Sequence, residues 1–105
     1  VNKLLDVIKI DAKKMELNVK SENIFDLINE CVNGLDFQIE KKHIKVLIDI
    51  EKPFYLDGDS FRMTQVFTNL ISNAIYASSE YDEIRIESLR TEGSTIFKVM
   101  HNGNV

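Results

Sequence analysis

The stretch Asp59-Ser-Phe-Arg-Met-Thr-Gln-Val-Phe-Thr-Asn-Leu-Ile-Ser-Asn-Ala74 constrains this chain more than any other. Wound at about 100° per residue, it gathers Met63, Phe67, Leu70, Ile71 and Ala74 into one apolar stripe, the pattern of a helix lying on a core. Arg62, Gln65, Asn69, Asn73 and Tyr76 fall on another side. Asn69 and Asn73 stand at i and i+4 and are therefore neighbours on one face. Asparagine is a poor helix-interior residue, because its amide competes for the backbone. Two of them here have two readings. One is a solvated polar face; the other is a polar site, with amide oxygens for a cation and NH₂ groups for an anion.

The rest of the chain alternates helical and extended patterns. Val1 to Met15 is read as a helix, since Leu4, Leu5, Ile8 and Ala12 recur at helical spacing. Leu17 to Lys20 is a short candidate strand. Asn23 is then the predicted N-cap of a helix reaching about Lys41, with Asp26 favourably placed in its first turn. Ile24, Leu27, Ile28, Cys31, Leu35 and Ile39 form its stripe, and Gly34 is tolerated within it. The basic run ending at His43 suits the helix C-terminus, and His43 itself reads as a solvated terminal residue.

Beyond it, Ile44, Val46, Ile48 and Ile50 alternate with Lys45, Asp49 and Glu51, as in a half-buried strand that Pro53 ends. Phe54 to Leu56 is a second short strand. Asp57-Gly58-Asp59 is a turn, with Asp59 or Ser60 capping the central helix. Glu83 to Leu89 and Thr95 to His101 alternate again around a hairpin connection at Thr91-Glu-Gly93-Ser94, with Phe97, Val99 and His101 on one face. The predicted class is α+β, a two-layer α/β sandwich with helices on one face of a mixed sheet.

Composition removes several functions. A net charge of −4 argues against a nucleic-acid role, because such binding normally needs a basic patch. There is no apolar run long enough for a membrane span and no signal-peptide pattern. Cys31 is the one cysteine, so it has no internal disulfide partner, which fits a reducing cytoplasm. Its register with Leu27, Ile28 and Leu35 makes it core filler.

The pattern Asp59-x-x-Arg62-x-x-Gln65-Val66-x-x-Asn69-Leu70-x-x-Asn73-Ala74 resembles the N box of sensor histidine kinases, in the ATP-binding half of two-component signalling systems. Leu4 to Asn18 resembles the end of that family's second dimerisation helix and its exit into the catalytic domain. The resemblance implies an incomplete Bergerat-type ATP-binding fold. Residues 1–18 would be the helix end and linker, and residues 19–105 a partial ATP-binding domain. It also implies ATP and Mg²⁺ as cofactors, transfer of the γ-phosphoryl group to a histidine, and a response regulator as partner. A homodimer through the Val1–Met15 helix or an exposed sheet is expected, in the cytoplasm.

Asn73 matches the family's Mg²⁺-holding asparagine. A neutral amide oxygen is an adequate ligand when phosphates supply most of the charge compensation. Asn69 would face the same phosphates or waters, at a position where ATP-hydrolysing relatives carry a general-base Glu. An amide cannot activate water there. His101 and Gly103 belong to the family's first glycine box, which reads His101-Asn-Gly-Asn-Val105.

Three departures accompany the match. Tyr76 stands where the family usually has a Lys near the phosphates. His101 replaces the leading Asp that accepts a hydrogen bond from the adenine amino group; a neutral imidazole can also accept, with one nitrogen. Val105 replaces the second Gly and restricts the backbone. The sequence stops at Val105, before the family's lid, and neither histidine sits in a His-Glu or His-Asp context on a helix. The expectation is a kinase fragment that does not autophosphorylate by itself. A non-catalytic, kinase-like binding or dimerisation module is the alternative, and a plain α+β domain without a nucleotide site is the third reading.

Overall fold

Strand periodicity is clearest at the C-terminal hairpin, where Ile84, Ile86, Phe97 and Val99 are buried and their chain neighbours face outward. The structure, a computed structural model, describes residues 2–11 and 20–102. Its elements run β1 (Asn2–Asp11), β2 (Lys20–Asn23), α1 (Ile24–Gly34), α2 (Asp36–Lys41), β3 (Lys45–Asp49), β4 (Tyr55–Gly58), α3 (Ser60–Ala77), β5 (Glu83–Thr91) and β6 (Ser94–Asn102). A four-stranded sheet has the order β1-β6-β5-β3, and β2 pairs separately with β4. The larger sheet is mixed: β3 runs parallel to β5, while β5–β6 and β1–β6 are antiparallel.

One apolar layer joins helices to sheet. Ile24, Leu27, Ile28 and Cys31 of α1 meet Met63, Phe67, Ile71, Ala74 and Ile75 of α3 above the buried residues of β5 and β6. The α+β class and the mixed sheet stand as expected, although β2 and β4 form their own ribbon beside it. At the centre, Phe97 meets Phe67 edge-on with centroids 5.0 Å apart, and tilts against Phe54 at 5.7 Å.

Asp59 caps α3 as predicted, its Oδ1 accepting from the backbone N–H of Phe61 at 3.0 Å and of Arg62 at 3.4 Å. Asp59→Ala is therefore expected to destabilise the fold by about 1 kcal/mol, read from the urea midpoint; an unshifted midpoint would count against the cap. Asn23 does occupy the N-cap position of α1, but without a side-chain cap bond. Its Nδ2 donates to Asp26 at 3.1 Å, and its Oδ1 accepts from the N–H of Phe54 at 3.3 Å, just before β4.

Three local readings change. The helix expected from Asn23 to about Lys41 is broken at Leu35, which lies at φ −105° and ψ 16°. The Leu35 N–H reaches back to the carbonyl of Val32, tightening the turn beside Gly34, before Ile39 N–H bonds the Leu35 carbonyl and winding resumes. The short strand expected at Leu17–Lys20 lies outside the described residues except for Lys20. From Lys20 the extended chain continues through Asn23, so Ser21 and Glu22 belong to β2. Finally, Asp57 and Gly58 close β4 and do not form a turn.

The larger correction is at the start of the chain. The Val1–Met15 segment was expected to be helical, yet Asn2–Asp11 is a strand along β6; Val1 and residues 12–15 lie outside the described residues. The register shifts between Leu4 and Asp6. A bulge puts one extra residue into a period-two strand, so Leu5 and Ile8, three apart, both pack against the core. That spacing mimics a helical stripe. The β-branched Val7, Ile8 and Ile10 suit a pleated surface better than a helix.

Candidate functional site

α3 holds two differently exposed sides. Met63, Phe67, Ile71, Ala74 and Ile75 are buried, Leu70 packs beside them, and Arg62, Gln65, Asn69, Asn73 and Tyr76 are all exposed. Anchoring of the apolar side fixes where the amides of Asn69 and Asn73 project. Tyr76 continues the polar stripe, 88% exposed. It also borders a cleft of about 510 Å³ on the side toward α2, with Leu35, Gln38, Lys41 and Ser72. The stripe is thus continuous, but Asn69 and Asn73 are not part of that cleft.

The C-terminus of α3 is held from outside the helix. Lys42 Nζ donates to the carbonyls of Ile75 at 2.8 Å, Tyr76 at 3.1 Å and Ser78 at 2.8 Å. A cation there complements the orphan carbonyls and the negative end of the helix dipole. The run ending at His43 was read as serving its own helix, and Lys42 serves α3 instead. The same ammonium lies 6.0 Å from the centre of the Tyr76 ring. Next to it, His43 is exposed as expected but stacks on Tyr81, with centroids 4.8 Å apart and an interplanar angle of 8°. Both stacked residues have positive φ, 54° at His43 and 66° at Tyr81. The Tyr81 N–H donates to the Lys42 carbonyl at 2.9 Å, which ties the two turns together.

His101 is on the helix-facing side of the sheet. It pairs with buried Ile84 across β5–β6 and follows Phe97 and Val99 at strand period. Its Nε2 lies 2.5 Å from Asp82 Oδ2, an oxygen that also accepts the Ser79 N–H at 2.6 Å. Asp82 ends the short connection from α3 and immediately precedes β5. The contact therefore brings His101 to the end of the α3–sheet interface where the asparagine helix finishes. Gly103 and Val105 of the glycine box lie outside the described residues.

Lys42 and Asp82 are the structural partners that spacing did not reveal. Each acts on residues far away in the chain, so no local period marks it. Cys31 behaves as core: buried, with Sγ donating to the Thr64 carbonyl at 3.7 Å, its thiol pushed up by burial. Among the described residues, no helix is long and apolar enough to cross a membrane.

No family model matches the chain. It is 30% identical over 101 residues to the aerobic respiration control sensor protein ArcB homolog of Haemophilus influenzae, covering 94% of this chain and 27% of that protein. It is 34% identical over 82 residues to the sensor protein GacS of Pseudomonas syringae pv. syringae, covering 76% of this chain and 9% of the relative. The chain thus spans only a minor part of these curated relatives. Its fold superposes on the catalytic domain of histidine kinase ThkA with a TM-score of 0.75 and 26% identity, over 84% of this chain and 61% of that one. ThkA in complex with the response regulator protein TrrA has the same fold at 17% identity and a TM-score of 0.63, over 78% of this chain and 41% of that one. In sequence and in fold the chain belongs to the sensor histidine kinases, and the part of them to which it corresponds is the catalytic domain.

Proposed function

We propose that this chain binds Mg²⁺–ATP along the asparagine stripe of α3, as the nucleotide-binding part of a kinase that phosphorylates a histidine in two-component signalling. The observation that carries the reading is the stripe itself. Asn69 and Asn73 project into solvent from a helix anchored in the core along its opposite side and held at its ends by Asp59 and Lys42. Amides carried on an anchored helix offer oxygen to a cation and NH₂ to phosphate oxygens.

The donor set fits Mg²⁺. Among the described residues, no group of three or more His, Cys, Asp or Glu side chains gathers as a metal cage. Neutral amides suit a cation that takes most of its ligands from phosphates and water. When bound, Mg²⁺ supplies charge neutralisation to the phosphates. Asn73 is the protein ligand in this reading, and Asn69 orients a phosphate oxygen or a water. Neither amide can accept a proton, so ATP is kept for its phosphoacceptor. In the transfer, the acceptor histidine's ring nitrogen bonds to the γ-phosphorus as the bond to the ADP oxygen breaks, and the ring N–H proton passes to solvent. A response regulator is the next partner in this reading, supported by the ThkA–TrrA complex, and the working compartment is the cytoplasm.

Calorimetry with ADP and ATP tests the reading. Asn73→Ala is expected to weaken nucleotide binding by about tenfold or more and to abolish its dependence on Mg²⁺. Unchanged Mg²⁺ dependence in the variant would remove Asn73 from the metal. No binding to the parent chain would favour a non-catalytic kinase-like module, the reading that Tyr76 in place of a phosphate-side Lys supports.

A further inference from the structure

Among the described residues, the four-stranded sheet has one covered face and one open face. Ile84, Ile86, Phe97 and Val99 belong to the core shared with α1 and α3, and strand period turns their chain neighbours the other way. The registers set those neighbours in level rows. Leu47, Arg85, Met100 and Leu4 form one row across the four strands, and Asp49, Glu87 and Lys98 form the next. Leu89 and Ile96 follow in a third. None of these side chains is buried, and Leu4 and Leu89 are about half exposed. The ion pair of 3.6 Å between Arg85 and Glu87 fits their common place on this face.

The middle row is acidic on β3 and β5 and basic on β6. That asymmetry decides how two copies can stack, since packed sheets keep their strands aligned to within about 30° and a dimer is two-fold. An axis lying across the strands at this row would set β6 on β6. Lys98 would then meet the partner's Lys98, and Glu87 the partner's Glu87, like charge on like. An axis along the strands reverses the strand order across the interface, so β6 lies on the partner's β5. Lys98 now meets the partner's Glu87 on both sides of the axis, and the four groups alternate in sign. The same operation lays Ile96 on the partner's Leu89, Met100 on the stem of the partner's Arg85, and Leu4 on the partner's Leu47.

We propose that the open face of the sheet takes a second copy of this chain, sheet on sheet, about a two-fold axis parallel to β5 and β6. Four strands about 4.8 Å apart, rising about 3.3 Å per residue, outline roughly 500 Å² per copy. That is the low end for a specific contact, so the dimer dissociates at micromolar concentration. Asn69 and Asn73 stand in the helix layer, and the proposal does not depend on nucleotide binding.

Sedimentation equilibrium of the full chain tests it. The parent chain should pass from monomer to dimer within the micromolar range; a strict monomer throughout overturns the proposal. Lys98→Glu and Glu87→Lys should each weaken the dimer about tenfold or more, and the double variant should recover it to within about threefold. Single variants that leave the dimer unchanged overturn the interface, and a double variant as weak as the singles overturns the facing pair. Phe37→Ala, which trims exposed apolar surface on α2, should leave the dimer as it was; a loss there would move the contact to the helix layer and overturn the proposal. A second measurement needs no substitution and decides the matter if a charge variant does not fold. On dilution, amide shifts should move at Leu47, Arg85, Ile96 and Met100 and stay still along α1 and α2. Shifts gathered on the helices, or confined to the edge strands β1 and β3, overturn the assignment.

Discussion

Phe97→Ala is expected to lower the unfolding free energy by about 3–5 kcal/mol, the usual range for truncating a fully buried aromatic. Phe97 is fully buried on β6 and touches two other rings, Phe67 from α3 and Phe54 from the segment before β4. Its removal would open a void where sheet, central helix and ribbon meet, and rigid backbones on all sides limit collapse. A domain with about 5–15 kcal/mol in total would lose a large fraction of its stability. Urea titration should show a much lower midpoint with an unchanged slope. Phe37, 76% exposed on α2, is the control; its replacement by alanine should stay within about 0.5 kcal/mol. Equal shifts at the two positions would refute the central placement of Phe97.

Lys42→Met should follow, at about 2 kcal/mol. Methionine keeps much of the aliphatic stem but leaves the carbonyls of Ile75, Tyr76 and Ser78 without their shared donor. Part of that end is open to water, which moderates the loss. Hydrogen exchange should accelerate in the last turn of α3 more than in its first turn, where Asp59 still caps. Uniform exchange along the helix, or an unmoved denaturation midpoint, would show that Lys42 does not hold the end.

The legible parts of this fold are those whose period is uninterrupted. α3 and the β5–β6 hairpin carry a single phase from end to end, and their buried residues were readable from spacing. Ile75 is the exception in α3, lying at the margin of the stripe. β1 was misread because its bulge shifts the phase by one residue and imitates a helix. The break at Leu35 was missed because the apolar positions of α1 and α2 stay in register across it. At the site, the exposed stripe of Asn69, Asn73 and Tyr76 followed from the helix alone. The grip of Lys42 on α3 and of Asp82 on His101 could not follow, since each joins residues that only the tertiary fold makes neighbours.

The pairing of Asn2 with Asn102 and of Asp11 with Ser94 has a kinetic consequence. The β5–β6 hairpin closes through a local turn at Gly93 and can form within microseconds, whereas β1 must be brought back across nearly the whole described chain. Such a strand joins late and, as an edge strand whose one strand partner among the described residues is β6, is placed to detach before the strands inside the sheet. Each detachment uncovers the backbone donors and acceptors along one side of β6. In that moment the sheet presents an unpaired edge, ready to accept an extended segment from another molecule.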